Sequence, residues 1–340
     1  MQAFVTGSTG LLGNNLVRLL IEQGYKVKAL VRSKAKAAKL FADLDISLVE
    51  GDMLDIDRFA CELAGCDVLF HAAAYFREYF QPGNHWQKLE DINITGTMKL
   101  LSEAEKQGVK KVIYISSAGP VGMKANGVPG DESTPYDLEA SKNLYFKSKV
   151  VAETAIDKFL QQHSLPVVLI LPGWMFGPQD AAPTNSGKLV LDYLAQKIPG
   201  IIDGGACMVD ARDVAQAAIN AVEKGKSGDR YIVAGQYLSM ENLFKSLEKV
   251  TGVPYPQRRI PYQATLVYAK LADMYARLTG AKSVLPLEGV RTMHRKRQVT
   301  SAKAIAQLAA SFRPLEDTLG DVVTWYRQHN YILGTGDRRA

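Results

Sequence analysis

The strongest constraint on this chain lies in its first thirteen residues. Gln2 to Thr6 is a short apolar strand that runs directly into Thr6-Gly7-Ser8-Thr9-Gly10-Leu11-Leu12-Gly13. An apolar-periodic helix follows, from Leu11 to Glu22. Strand, glycine turn and helix in that order suit a phosphate-binding βα unit. Gly7 permits the tight turn, Gly10 lets backbone approach a pyrophosphate, Gly13 lets helix and strand pack closely, and the helix N-terminus faces the anion. The spacing is G-x-x-G-x-x-G rather than the commoner G-x-G-x-x-G. Alone, a glycine triplet says little; its place directly behind a strand carries the reading. The residues expected against the cofactor are Gly7, Thr9, Gly10, Leu11, Leu12 and Gly13.

Such a unit belongs in a parallel sheet, and strand-helix alternation continues through residue 171. Strands are expected over Lys26 to Val31, Ile46 to Glu50, Val68 to His71, Lys111 to Ile115 and Pro166 to Leu171, with helices over Asp91 to Gln107 and Leu144 to Gln162. The fold class is α/β, a Rossmann-type doubly wound sheet with its site at the C-terminal ends of the strands. A length of 340 residues suffices for that core and a smaller second lobe. A hydrophobic content of 47% with 22% charged residues is ordinary for a globular chain. The net charge of +6 admits nucleic acid, membrane or a phosphorylated ligand. The basic residues are scattered, and the one dense run, His294 to Arg297, reads as a solvated face. Cys61, Cys66 and Cys207 have no metal-ligand spacing and fit reduced thiols. No apolar run approaches the ~18 residues of a membrane span. A glycine turn beginning at residue 7 leaves no room for a signal peptide. A soluble, cytoplasmic protein without a metal is expected.

The strand ends carry the chemistry. An NAD site usually places an acid at the end of the second strand, to bond the ribose 2′-hydroxyl. Here that place holds Arg32, with Lys34, Lys36 and Lys39 after it. A cation there attracts a 2′-phosphate, so the expected cofactor is NADP(H) rather than NAD(H). Asp52, beside Met53, is placed to accept from the adenine amino group. Ala72, Ala73 and Ala74 are small enough for backbone to pass under a cofactor. His71, inside the strand, reads as a core histidine. Tyr75-Phe76-Arg77-Glu78-Tyr79-Phe80, with Trp86 behind, is an aromatic loop able to cap a substrate pocket or to pack on itself. Asn93 is placed to orient a lysine through water or to bond backbone near the site. Pro172 shapes a loop against the nicotinamide, with Gly173, Trp174 and Met175 following.

Tyr145 and Lys149 stand four residues apart, on one face of a helix. An ammonium beside a phenol favours the phenolate. Bringing a tyrosine from about 10 to ~7 asks for roughly 4 kcal/mol of differential interaction. A phenol so tuned can protonate a carbonyl oxygen while hydride reaches the carbon. A second Tyr-x-x-x-Lys, Tyr193 and Lys197, reads as a chance match on a surface helix. Context separates the two: Ser117, at the end of the fifth strand, can bond the same carbonyl oxygen as Tyr145. Ser117, Tyr145, Lys149 and Asn93 are the candidate catalytic residues, and Tyr75, Phe76, Ser117 and Trp174 the candidate substrate contacts.

These motifs resemble the extended short-chain dehydrogenases/reductases, and within them the dihydroflavonol 4-reductase-like carbonyl reductases. The matching pieces are Thr6-Gly7-x-x-Gly10-x-x-Gly13, Val31-Arg32, Gly51-Asp52, Ser116-Ser117-Ala118-Gly119, Tyr145-Phe146-x-Ser148-Lys149 with Ala152-Glu153, and Pro172-Gly173. The resemblance implies Tyr145 as general acid/base, Lys149 tuning it and bonding the nicotinamide ribose, and Ser117 polarising the carbonyl. It also implies a discontinuous substrate lobe: residues 1–172 and 207–236 for the NADP-binding domain, 173–206 and 237–340 for the lobe. A homodimer is implied through the helices over Asp91 to Gln107 and Leu144 to Gln162. Sugar dehydratases of the superfamily carry Asp-Glu after the catalytic hydroxyl residue, where this chain has Ala118-Gly119. Nucleotide-sugar epimerases mostly place an acid after the second strand, where this chain has Arg32. An epimerase and a non-enzymatic NADP-binding redox sensor are the alternatives.

Overall fold

The computed structural model describes residues 1–76, 84–279 and 285–332. Twelve strands occur among them: β1 Gln2–Thr6, β2 Lys26–Val31, β3 Ser47–Glu50, β4 Val68–His71, β5 Lys111–Ile115, β6 Val167–Pro172, β7 Trp174–Phe176, β8 Ile201–Ile202, β9 Gly205–Asp210, β10 Arg230–Val233, β11 Gln236–Ser239 and β12 Arg259–Ile260. The helices are α1 Leu11–Glu22, α2 Lys34–Leu40, α3 Trp86–Leu89, α4 Thr97–Lys106, α5 Leu144–Leu160, α6 Asn185–Leu194, α7 Ala211–Lys224, α8 Met240–Thr251, α9 Tyr262–Thr279, α10 Leu287–His294, α11 Ala302–Leu308 and α12 Leu315–Gln328. Seven strands form one parallel sheet in the order β10-β6-β5-β4-β1-β2-β3. The order reverses between β1 and β4, so the crevice of a doubly wound sheet opens there.

Alternation along β1 assigns the faces. Ala3 and Val5 point into the core shared with α1 and α7, and Phe4 points into the core shared with α4 and α5. Strands covered on both faces read as unbroken apolar runs, as Val167–Pro172 does, with every residue buried. A third core lies outside the sheet. There Phe176, Tyr193, Phe244, Leu319, Trp325 and Tyr326 pack together, beside the small sheet β11-β9-β7. Ala304 and Leu308 of α11 pack in the α1–α7 core. That stretch of the expected substrate lobe therefore lies against the nucleotide-binding sheet.

Three expectations need correction. The helix foreseen from Asp91 begins at Trp86 and passes through a π-helical stretch, Glu90–Gly96, before α4. Gly96 explains the tight fit of that stretch, since a Cβ there would lie 3.0 Å from the carbonyls of Asp91 and Met53. Tyr193 is not on a surface face: it is buried in the third core and donates to the Val253 carbonyl at 2.5 Å, while Lys197 lies beyond the end of α6. Nor is the run His294 to Arg297 a free basic face. Arg295 pairs with Asp137 and Glu139, Lys296 with Asp203, and Arg297 with Asp137.

Candidate active site

The phosphate turn is built as its glycines require. Gly7 has φ +67°, and a Cβ on it would lie 2.7 Å from the backbone of Ala72 and Ala73. A Cβ on Gly13 would lie 2.1 Å from the Gly7 carbonyl oxygen. Of the three expected alanines at the end of β4, Ala72 and Ala73 thus pass directly beneath the turn. Gly10 is the N-cap of α1 and offers no side-chain cap, and the first turn, from Leu11 and Leu12, carries no acid. Its amide hydrogens face the crevice with Thr9 exposed beside them. Ser8, absent from the expected set, fixes the turn from behind by donating to the Leu30 carbonyl at 2.7 Å.

The end of β2 presents Arg32 and Lys34 to solvent, and no hydrogen bond or ion pair engages either among the described residues. Asp52 is half-buried and accepts from the Leu54 amide at 3.0 Å, while Met53 is buried in the core below it. Glycine cradle, uncapped helix terminus and free cation together fit a nicotinamide dinucleotide. Gly7 to Gly13 would hold its pyrophosphate.

At the other side of the crevice, α5 starts behind Asn143, whose side chain accepts from the Phe146 amide. This puts Tyr145 in the first turn and Lys149 one turn later. Lys149 is buried and donates to the Ile115 carbonyl at 2.7 Å and the Tyr114 hydroxyl at 3.3 Å. Ile115 ends β5 two residues before Ser117, so this bond ties the helix to the strand end carrying the serine. Gly119 closes the same loop against the Phe146 ring, where a Cβ would lie 2.3 Å from a ring carbon. Ser117 is half-buried and accepts from the Gly119 amide at 3.1 Å.

The phenol of Tyr145 departs from expectation. Burial pushes its pKa up rather than down. It sits against the Phe76 ring, 4.7 Å between centroids, and the Phe146 ring, 5.9 Å away. The Lys149 ammonium is directed at Ile115 and Tyr114 instead. Burial lowers the pKa of Lys149 to about 8, with Glu153 opposing the shift. Both groups are therefore in their protonated forms at neutral pH, the phenol as a proton donor.

Asn93 sits in the π-helical stretch and is buried. Its Oδ1 accepts from the Tyr75 amide at 2.7 Å, and its Nδ2 donates to the Tyr75 carbonyl at 3.3 Å and Ser148 Oγ at 3.0 Å. Ser148 in turn donates to the Tyr145 carbonyl at 2.7 Å. Of its two expected roles, this is the bond to backbone near the site. Tyr75 is buried and its hydroxyl meets His85 Nδ1 at 2.7 Å. Residues 77–80 of the aromatic loop lie outside the described residues. Trp86 receives the Lys147 ammonium over its ring at 4.5 Å. Pro172 ends β6, and Gly173 is pressed between the Cys207 and Ala234 carbonyls. Trp174 packs on Phe176 at 4.9 Å, and Met175 contacts the α1–α7 core. His71 is a core residue, held between Thr6 at 2.7 Å and Thr97 at 2.9 Å.

Sequence reasoning missed a polar cluster behind the lysine. Glu153, one turn beyond Lys149, is buried and accepts from Ser116 Oγ and, at 2.6 Å, from the Tyr136 hydroxyl. Arg230 Nε lies 2.9 Å from the same carboxylate. The signal available was a glutamate on the buried face of α5.

Residues 3–234 match the model of the NAD dependent epimerase/dehydratase family. The chain belongs to that family. A putative dihydroflavonol 4-reductase from Synechocystis sp. is 33% identical over 337 residues, 97% of this chain and 95% of that protein. Sterol demethylase protein B from Methylococcus capsulatus is 30% identical over 335 residues, 98% of this chain and 100% of that protein. The crystal structure of gox2253 superposes with a TM-score of 0.82 at 31% identity, covering 97% and 99% of the two chains. It is an NAD(P)-dependent enzyme of the extended short-chain dehydrogenase/reductase kind.

Proposed function

We propose that this protein is an NADPH-dependent reductase of an aldehyde or ketone, acting as a homodimer. The observation that carries the reading is the union of Tyr145, Lys149 and the Ser117 loop through the Lys149–Ile115 bond of 2.7 Å. Gly7, Gly10 and Gly13 would hold NADPH, which when bound would supply the hydride and be left as the oxidised form. Ser117 Oγ hydrogen-bonds the carbonyl oxygen and positions it. Tyr145, a half-buried phenol whose pKa is raised by desolvation and which is neutral at neutral pH, donates its proton to that oxygen as negative charge develops there. Lys149 keeps its ammonium at neutral pH and stabilises the phenolate left behind. Asn93 is a positioning residue, coupling Tyr75 to the backbone of Tyr145. Tyr75, Phe76 and Trp174 give the pocket an aromatic wall. The reductase names of relatives such as the Synechocystis protein support this reading. The Ala118-Gly119 pair weighs against a dehydratase, and Arg32 weighs against a tightly held NAD.

The test is a binding titration of NADPH against NADH, followed by a panel of aldehydes, ketones and nucleotide sugars. Tighter NADPH binding with oxidation on a carbonyl supports the proposal. Sugar isomerisation with flat NADPH absorbance would replace it by an epimerase. Binding without turnover on any member would leave a nucleotide-binding sensor.

A further inference from the structure

The ammonium of Lys149 is buried, and a buried charge needs an opposite charge nearby or it gives up its proton. Its two hydrogen bonds, to the Ile115 carbonyl and the Tyr114 hydroxyl, bring it only neutral oxygens. The titratable groups that face it come from three elements. On β5, burial raises the Tyr114 phenol, and the Lys149 nitrogen lies 4.8 Å from the centre of that ring. On β4, burial holds His71 neutral by lowering its pKa to about 3. On α5 itself, Tyr145 is a phenol raised by desolvation. The remaining group is Glu153, one turn beyond Lys149. Among the described residues it alone presents a negative charge to the lysine.

Glu153 is buried and fixed from three directions. Ser116 Oγ donates to Oε1, the Tyr136 hydroxyl donates to Oε2 at 2.6 Å, and Arg230 Nε lies 2.9 Å from Oε2. Arg230 is held in turn: it donates to the Glu132 carbonyl at 2.9 Å and lies over the Tyr136 ring, 4.8 Å from its centre. The next acid along α5, Asp157, is raised by burial with Arg230 opposing the shift, so it faces the arginine rather than the lysine. Lys149 bonds Ile115 and Glu153 bonds Ser116. The two side chains thus grip consecutive residues of the strand end that carries Ser117.

We propose that Glu153 is a positioning residue: held by Ser116, Tyr136 and Arg230, its carboxylate is the counter-charge that keeps the Lys149 ammonium charged behind the reacting groups. It acts through Lys149 rather than on the carbonyl. Burial brings the lysine down to about 8 against the pull of Glu153. A neutral amide in place of the carboxylate removes that pull, so the lysine loses its proton at lower pH. The catalytic consequence rests on the reductase reading; the coupling of the two charges does not.

Two variants separate this role from a structural one. Glu153→Gln and Arg230→Gln break the same buried ion pair but leave opposite charges behind. The probe is the Cε resonance of Lys149 in the full chain, isotope-labelled at its lysines, assigned by its loss in Lys149→Arg and followed through a pH titration. In Glu153→Gln the midpoint should fall by at least about one pH unit, whereas in Arg230→Gln it should stay or rise. With NADPH and a carbonyl that the wild type reduces, the alkaline limb of kcat should move in the same sense. Glu153→Gln should lose at least about fivefold at pH 8 and stay within about threefold of wild type at pH 6. A merely structural role would slow both variants at every pH and leave the limb in place. An unmoved midpoint in Glu153→Gln, or an equal fall in Arg230→Gln, would overturn the proposal. Where Glu153→Gln does not fold, Arg230→Gln still decides, a fallen midpoint overturning the proposal and a retained or raised one supporting it. A wild type that reduces no carbonyl would sink the reductase reading, and the resonance would then decide this proposal without it.

Discussion

At the scale of the residue, spacing sets Tyr145 and Lys149 on one helical face but says nothing of their electrostatics. Two residues of one helical face, Tyr145 and Lys149, are visible in any sequence. That the phenol lies between Phe76 and Phe146 is not, because Phe76 reaches it from another strand end. Desolvation therefore dominates, and Tyr145 rests as a protonated phenol. Glu153 stood in the matched Ala152-Glu153 pair, but its place in a cluster was hidden for the same reason: its partners Ser116, Tyr136 and Arg230 come from a strand end, a loop and a distant strand. If Tyr145 is the proton donor, Tyr145→Phe removes only a hydroxyl from a packed ring. Turnover should fall by about 10²–10⁴, while NADPH affinity stays within about tenfold of wild type, since one neutral hydroxyl contributes roughly 0.5–1.5 kcal/mol at most. Stopped-flow turnover and a fluorescence titration on the same sample check both halves. Turnover at the wild-type rate would remove Tyr145 from its assigned role. At Arg32 the expected change is one of preference. Arg32→Glu replaces a free cation by an acid suited to a ribose hydroxyl. The ratio of NADPH to NADH affinity should drop at least tenfold, and an unchanged ratio would show that this side chain does not read the phosphate.

At the scale of the element, the glycine turn was legible because backbone geometry, not side-chain packing, makes its demands. The structure separates its three glycines into different jobs. Gly13 is structural, since a Cβ there would overlap the Gly7 carbonyl at 2.1 Å, with backbone on both sides. Gly13→Ala should destabilise the fold by about 3 kcal/mol or more, near the limit for overpacking. Gly10 has more room, its added Cβ meeting only the Gly7 oxygen at 3.3 Å. Gly10→Ala should cost about 1 kcal/mol or less in stability but weaken cofactor binding at least tenfold, because the Cβ occupies the face a pyrophosphate approaches. Urea unfolding paired with NADPH titration on the two variants distinguishes them. Equal stabilities would contradict the division. The π-helical stretch Glu90–Gly96 was not legible. Nothing in its composition marks a wide turn; it arises where Asn93 turns inward to Tyr75 and Ser148 while Gly96 passes close to Met53.

At the scale of the whole molecule, six of the seven parallel strands were readable, the central ones such as Val167–Pro172 because burial on both faces writes them as apolar runs. The second lobe was not. Its strands β8 and β12 are two residues long, and its core joins Phe176 to Phe244 and Trp325 across long stretches of chain. What holds the sheet at its switch point is also what should make it acid-sensitive. His71 bridges the ends of β1 and α4 through Thr6 and Thr97 with no water access, and burial, reinforced by the Lys149 charge, lowers its pKa to about 3. Its unfolded value is about 6.5. Between those values the unfolded chain binds a proton that the folded chain refuses, so stability falls as pH falls. The slope approaches 1.4 kcal/mol per pH unit, with several kcal/mol as the upper limit. Carboxylates held low, such as Asp131 beside Lys124, add their losses only below the ordinary carboxylate range, which leaves pH 4.5 to 6.5, roughly, to histidine. Urea midpoints measured across that window should decline for the wild type. His71→Gln keeps a polar bridge but cannot take the proton. It should be less stable than wild type at high pH and flatter below pH 6.5, the two curves converging on acidification. Parallel curves would mean that the acid sensitivity comes from other groups and that His71 is protonated in the folded protein without cost.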